Sequence, residues 1–259
     1  LMCKDAASPR YIFTRLMDIT KRIFDENDTP LLNFLHDDGQ QVEPEWYMPV
    51  IPMVLVNGCE GIGTGYSTYI PPHNPRDIIE NIKRILKEQQ PLDMTPYFKN
   101  FSGTVEDVGN GNYLTRGKWE KTSDTQLKIT ELPVGTWVTP YKEFLESLID
   151  GAKKDSPKNS CVLKDIRNMT TDENTGICFI LDFKDKTTID NLIKNGTLEK
   201  ELKLTKSIST NNMYLFDDSL VPSKYKSTTD ILLDFCDIRL EFYEKRRINL
   251  INILRSEER

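Results

Sequence analysis

Several large classes of protein are excluded by what this 259-residue chain does not contain. It has no apolar run near the roughly 20 residues that a membrane-spanning helix requires; the longest, around Met48–Val56, is interrupted by Pro49 and Pro52. It has no signal-peptide pattern. Cysteine is sparse: Cys3, Cys59, Cys161, Cys178 and Cys236 are far apart, odd in number and never spaced C-x-x-C. A disulfide framework or chelating pair is therefore not expected, and a reducing intracellular compartment is. The two histidines, His36 and His73, have no further His or Cys at metal-ligand spacing, and His73 reads as loop structure. No Asp-x-Asp pair occurs, so a two-metal phosphoryl-transfer site has no obvious motif to start from. No repeat of 20–50 residues is visible.

The composition is that of a folded domain, with 38% hydrophobic and 29% charged residues. The length allows one sizeable core or two modest ones. The net charge of −6 is unevenly spread. Residues 1–24 carry Lys4, Arg10, Arg15, Lys21 and Arg22 against Asp5 and Asp18, whereas residues 25–60 hold eight carboxylates and neither lysine nor arginine. A basic face near Tyr11 thus coexists with an acidic whole. The opening without an initiator segment and the close on Arg-Ser-Glu-Glu-Arg within a helical pattern suggest part of something longer.

Periodicity supplies a coarse map. Phe13, Leu16, Met17, Ile19 and Ile23 predict an amphipathic helix from Tyr11 to Phe24, followed by a turn at Asp37-Asp38-Gly39. Three prolines make residues 42–56 extended, running into a short buried strand. Asn74-Pro75 reads as a helix start, with Ile78, Ile79, Ile82, Ile85 and Leu86 at helical spacing to about residue 89. Between about 100 and 220, alternating runs at Gly103–Val108, Asn112–Trp119, Gln126–Glu131 and Ile177–Phe183, with a helix near Thr139–Ile149, predict an α+β region on an antiparallel sheet. From Thr229, Ile231, Phe235, Ile238 and Phe242 predict a long helix entering a partner interface or coiled coil.

The glycine cluster Asn57-Gly-Cys-Glu-Gly-Ile-Gly-Thr-Gly65 suggests a nucleotide-binding loop and then fails as one. A Walker A alignment needs lysine where Thr64 stands; a dinucleotide fingerprint needs Gly or Ala at Tyr66 and a helix where prolines 71, 72 and 75 follow. What remains is a glycine-rich turn around Ile62, flanked by Gly61 and Gly63, with two readings: a tight turn with Ile62 tucked into the core, or an apolar wedge between base steps of a duplex. Trp46 and Tyr47 read as core anchors. Tyr11 also has two readings. An ordinary phenol is a poor nucleophile at neutral pH, but cations such as Arg10, Arg15 or Lys4 can stabilise a phenolate and hold a phosphate.

Lys-Asp-Ala-Ala-Ser-Pro-Arg-Tyr-Ile-Phe-Thr, Glu-Pro-Glu-Trp-Tyr, Pro-Met-Val-Leu-Val-Asn-Gly-Cys-Glu-Gly-Ile-Gly-Thr-Gly and Ile-Thr-Glu-Leu-Pro together closely resemble eukaryotic-type DNA topoisomerase II, in that family's order and over essentially the whole chain. The related gyrase branch lacks the first two wordings. The resemblance implies the end of a winged-helix domain over residues 1–48, a tower domain over 49–220, and the start of a coiled-coil helix over 221–259. It implies that Tyr11 attacks a backbone phosphate, that Arg10 contacts that phosphate, that Ile62 on its Gly61/Gly63 turn inserts into double-stranded DNA, and that Lys4 and Arg15 lie near phosphates. It further implies a homodimer, Mg2+ and ATP bound by domains outside this chain, and a nuclear location, or a viral or cytoplasmic one for a large-DNA-virus homologue. Met2-Cys3 stands where the family has Gly-Gly. The alternative is a DNA-bending architectural module that has lost cleavage.

Overall fold

The computed structural model describes residues 8–150, 163–170, 176–217 and 220–257, which form two compact units: one reaching to Tyr97 and resuming at Thr210, the other spanning Phe98–Ser209.

The first unit opens with a single 3-10 turn at Pro9–Tyr11 and a short helix α1 (Thr20–Ile23), then a 3-10 segment at Glu26–Leu31. The predicted Tyr11–Phe24 helix is thus realised only in its last turn. Phe13, Leu16, Met17 and Ile19 are exposed. An amphipathic stripe gains helical stability from covering its apolar face, and nothing among the described residues covers this one. Strands β1 (Phe34–Asp37) and β2 (Gln40–Pro44) pair across the predicted turn, with Asp38 at φ 46° and Gly39 at φ 80° as its two central residues.

The strand expected up to residue 56 is instead the helical turn α2 (Met53–Asn57). Pro49 and Pro52 lie ahead of it, where a missing N–H costs nothing, and the Pro52 carbonyl accepts from the Leu55 N–H at 3.0 Å. Gly58 ends it at φ 73°, where a Cβ would lie 2.8 Å from the Ile70 carbonyl oxygen. Strands β3 (Cys59–Ile62) and β4 (Ser67–Ile70) form a hairpin, and α3 (Pro75–Ile85) follows, capped by the Asn74 side chain accepting from the Arg76 N–H at 3.0 Å.

The second unit holds β5 (Thr104–Gly109), β6 (Asn112–Arg116), β7 (Lys118–Lys121), β8 (Gln126–Glu131), α4 (Val138–Asp150), β9 (Leu163–Asn168), β10 (Phe179–Phe183), α5 (Lys186–Lys194), α6 (Leu198–Glu201) and β11 (Thr205–Ser209). Two antiparallel sheets result, ordered β7-β8-β10-β9 and β11-β6-β5. The single run expected over Asn112–Trp119 splits into β6 and β7 at Gly117, where a Cβ would lie 2.4 Å from the Glu131 carbonyl oxygen. Leu127 and Ile129 alternate inward on β8 opposite Leu181 and Phe179 on β10, and Tyr141, Leu145 and Leu148 of α4 belong to the same core. Burying each such side chain contributes about 1.5–3 kcal/mol.

Back in the first unit, β12 (Met213–Phe216) and β13 (Pro222–Tyr225) form a hairpin leading into α7 (Thr228–Glu257). Leu55, Ile70, Ile78, Met213, Ile231 and Leu232 make this unit's core. The predicted long helix is present, but its inward face runs through Leu232, Cys236, Arg239 and Phe242. Among the described residues no helix is long and apolar enough to cross a membrane.

Candidate nucleic-acid interface

Tyr11 is 72% exposed at the end of its 3-10 turn, its N–H donating to the Ser8 carbonyl at 2.9 Å. It is therefore not a buried aromatic. The Arg10 guanidinium carbon stands 4.9 Å from the centre of the Tyr11 ring, which places a fixed cation against the phenol. Arg15 is exposed four residues further on, and Lys4 lies outside the described residues.

The second candidate group is the β3–β4 hairpin. Ile62 pairs with Ser67, and the Gly63 N–H donates to the Tyr66 carbonyl at 2.7 Å, closing a turn in which Gly65 takes φ 84°. Ile62 is 94% exposed at this tip rather than tucked into the core. Gly61 leaves open space where a Cβ would stand, and at Gly63 a Cβ would meet only the Tyr66 carbonyl at 3.6 Å. An isoleucine projects alone from a narrow backbone edge.

What sequence reasoning missed is the support beneath. The Asn212 amide donates to the Ser67 carbonyl at 2.9 Å and to its Oγ at 2.6 Å, and the Asn212 carbonyl accepts from the Tyr69 N–H at 2.9 Å. The Tyr214 N–H donates to Thr68 Oγ1 at 3.0 Å, and the Tyr214 ring meets the Tyr66 ring edge-on at 5.4 Å. The partners lie 145 and 146 residues apart in sequence, beyond the reach of any local signal. An apolar hollow of about 430 Å³ lies between hairpin and support, walled by Cys59, Ile62, Tyr66, Tyr214 and Phe216.

The acidic block is partly consumed internally. Asp28, 2% exposed, accepts from Arg239 Nη1 at 2.7 Å and from Arg246 Nε at 2.7 Å and Nη2 at 2.5 Å; Asp25 accepts from Arg246 Nη1 at 3.0 Å. The Asn27 backbone N–H, with Arg246 adding to it, holds the Asp25 carboxyl below its usual range, while Asp28 pushes the Arg246 guanidinium up. Trp46 and Tyr47 are more exposed than core anchors, though Trp46 meets Phe242 edge-on at 5.1 Å and Tyr47 meets Phe24 at 5.7 Å. His73 is buried as predicted loop structure, with neither ring nitrogen hydrogen-bonded.

Two of the expected residues, Arg10 and Tyr11, come together; Ile62, Gly61 and Gly63 form a separate group, and among the described residues no hydrogen bond or ring contact joins the two. No three His, Cys, Asp or Glu side chains among the described residues gather to hold a metal ion. These residues do not fit a resident metal.

Residues 2–258 match a family model described as the A-type chain of DNA gyrase/topoisomerase IV. The chain is 43% identical over 256 residues to a protein named DNA topoisomerase 2 from Plasmodium falciparum (isolate K1 / Thailand), covering 99% of this chain and 18% of that relative. It is 41% identical over 255 residues to DNA topoisomerase 2-alpha of Homo sapiens, covering 98% and 16%. The crystal structure of the Plasmodium falciparum topoisomerase II DNA-binding, cleavage and re-ligation domain superimposes with a TM-score of 0.88 at 42% identity, over 98% of this chain and 33% of that one. The chain thus spans less than a fifth of the length of these full-length relatives.

Proposed function

Because the chain belongs to the DNA gyrase/topoisomerase IV family, in its A-type branch, we propose that it is the DNA cleavage and religation segment of an ATP-dependent type II DNA topoisomerase. The observation that carries this reading is the exposed Tyr11 phenol with the Arg10 guanidinium held against it.

In the proposed reaction, Tyr11 Oη attacks a backbone phosphorus. A phosphotyrosine bond forms to the 5′ end of the broken strand, the P–O3′ bond breaks, and the phenolic proton is lost as the 3′ oxygen leaves as a hydroxyl. No water adds, so the phosphodiester energy is kept in the tyrosyl link and the reverse attack by the 3′ hydroxyl reseals the strand. Arg10 opposes the charge that builds on the pentacovalent phosphate, the moment at which a fixed cation is worth most. In a homodimer, two Tyr11 side chains cut opposite strands and a second duplex passes through the gap. Ile62 inserts as a wedge, unstacking a base step at a cost on the order of a few kcal/mol that the bent duplex offsets by further contacts. Arg15 and Lys4 lie along phosphates and position DNA without reading its sequence.

On the same reading, residues 1–48 end a winged-helix domain, 49–220 form the tower and 221–259 begin the coiled-coil helix. Mg2+ and ATP are bound by domains outside this chain, where the metal supplies charge neutralisation at the phosphate. The location is nuclear, or viral or cytoplasmic for a homologue from a large DNA virus.

A denaturant-quenched cleavage assay on the full-length protein with supercoiled DNA and Mg2+ tests the nucleophile. Covalent protein–DNA product is expected from wild type and not from Tyr11→Phe, with the adduct mapping to Tyr11. An adduct from Tyr11→Phe assigns the chemistry to another residue; binding and bending without any trapped adduct from wild type favours the DNA-bending architectural module.

A further inference from the structure

A two-stranded hairpin is at best marginally stable alone. The β3–β4 hairpin has four residue pairs and places Gly61, Gly63 and Gly65 around its one bulky tip residue. A tip that unstacks bases must bear a load of a few kcal/mol, and a hairpin free to tilt yields before the duplex does. The brace against tilting comes from β12 and the residue ahead of it.

Resting on the reading of Ile62 as a wedge, we propose that Asn212 and Tyr214 are positioning residues for DNA bending, acting through Ser67 and Thr68 to hold the Ile62 hairpin at a fixed angle. Their contacts fall on Tyr66, Ser67, Thr68 and Tyr69, the strand directly paired with the Ile62 side of the hairpin. Asn212 grips Ser67 twice through one amide, so neither sliding nor rotation of β4 keeps both bonds. The brace itself is anchored. Met213, between the two positioning residues, is fully buried in the core, and β12 pairs over its whole length with β13. From β13 the Tyr225 hydroxyl donates to Asp234 of α7 at 2.5 Å. A push on Ile62 is thereby passed to the core and to the root of the long helix.

The test measures the bend of a short, end-labelled duplex by fluorescence energy transfer in the full-length protein, at equal DNA occupancy. Thr68→Val keeps the shape and removes the acceptor; Thr68→Ser restores it. Asn212→Ala removes the double grip. Thr68→Val and Asn212→Ala are each expected to lower the bent fraction about three- to tenfold, the effect of one or two net hydrogen bonds, with Thr68→Ser within about twofold of wild type. A pre-bent duplex is expected to restore covalent adduct yield in both variants, which a merely misfolded hairpin would not allow. Should Asn212→Ala fail to fold, the Thr68 pair decides. If Ile62→Ala straightens the duplex while Thr68→Val bends it as wild type does, the positioning role is refuted and the wedge survives. If Ile62→Ala bends DNA normally, the wedge reading itself falls, and the positioning role with it.

Discussion

Replacing Asp28 with asparagine keeps the side-chain volume and removes one charge from a cluster that also holds Arg239 and Arg246. The two arginines are not equally affected. The Arg246 side chain is partly exposed and retains Asp25 at 3.0 Å. The Arg239 side chain is 4% exposed, its Nε and Nη2 have no hydrogen-bond partner, and its remaining neighbour is the face of Tyr243 at 4.1 Å. Breaking a buried pair from one side costs about 3–5 kcal/mol, chiefly as the penalty on the stranded charge, and with Arg246 still paired the lower end, about 3 kcal/mol, is expected. At a urea slope of about 2 kcal/mol per M, the midpoint falls by about 1.5 M. Hydrogen exchange of α7 peptides along the urea series measures this for the unit containing Asp28, without requiring the whole chain to unfold in one step. The double variant Asp28→Leu/Arg239→Met is expected within about 1 kcal/mol of wild type, because apolar replacement of both partners removes the desolvation cost along with the attraction. A loss under about 1 kcal/mol for Asp28→Asn would refute the argument, since the arginine would then have found solvent or another acceptor.

The other predictions concern charge and protons. Arg10→Ala is expected to slow covalent adduct formation by about 10²–10³-fold while changing duplex affinity only a few-fold; equal losses in both, measured by quenched cleavage and by binding, would make Arg10 a simple anchor. Burial pushes the His73 pKa below its ordinary 6.5, because the nearby Pro71 and Leu55 carbonyls lie outside good hydrogen-bonding geometry and only partly favour the proton. The unfolded chain therefore takes up this proton before the folded one, so stability is lost as pH falls below about 6.5, by at most about 1.4 kcal/mol per pH unit from this residue. Urea midpoints between pH 7.5 and 5.5 check it, and His73→Gln should flatten the decline; an equally steep decline in that variant would assign it elsewhere.

Where local signals and tertiary packing agree, the sequence is readable. Asn74-Pro75 begins a helix because its cap and its first-turn proline are both local chemistry, and Asp38-Gly39 turns a hairpin because both residues tolerate φ > 0. Gln126–Glu131 is a strand at the expected residues because alternation there matches a buried partner strand. The failures are equally physical. Apolar spacing from Phe13 to Ile23 has no covering surface among the described residues, so it yields one helical turn instead of a helix. Prolines at 49 and 52 argue against a helix through residues 42–56, yet a proline just ahead of a helical turn is compatible with it. For the candidate site, Tyr11, Arg10 and Ile62 are legible as side chains in suggestive company, and the structure adds their exposure and contacts. Asn212, Tyr214, Arg239 and Arg246 are not legible, because each acts on a residue 145 or more positions away.

Helix α7 is fastened along one part of its length only. Asp234 is tied to β13, and Arg239 and Arg246 to Asp28, while past Phe242 no residue of the helix is buried and Ile248, Leu250, Ile253 and Leu254 are all exposed. This is a cantilever with a clamped root. At 1.5 Å rise per residue, the span from Asp234 to Glu257 is about 35 Å, so a root rotation of about 5° swings the tip by about 3 Å. The clamp that turns the root shares β12 and β13 with the brace beneath Ile62, so a strain of tenths of an ångström at the hairpin becomes a displacement at the far end large enough to change which side chains meet there.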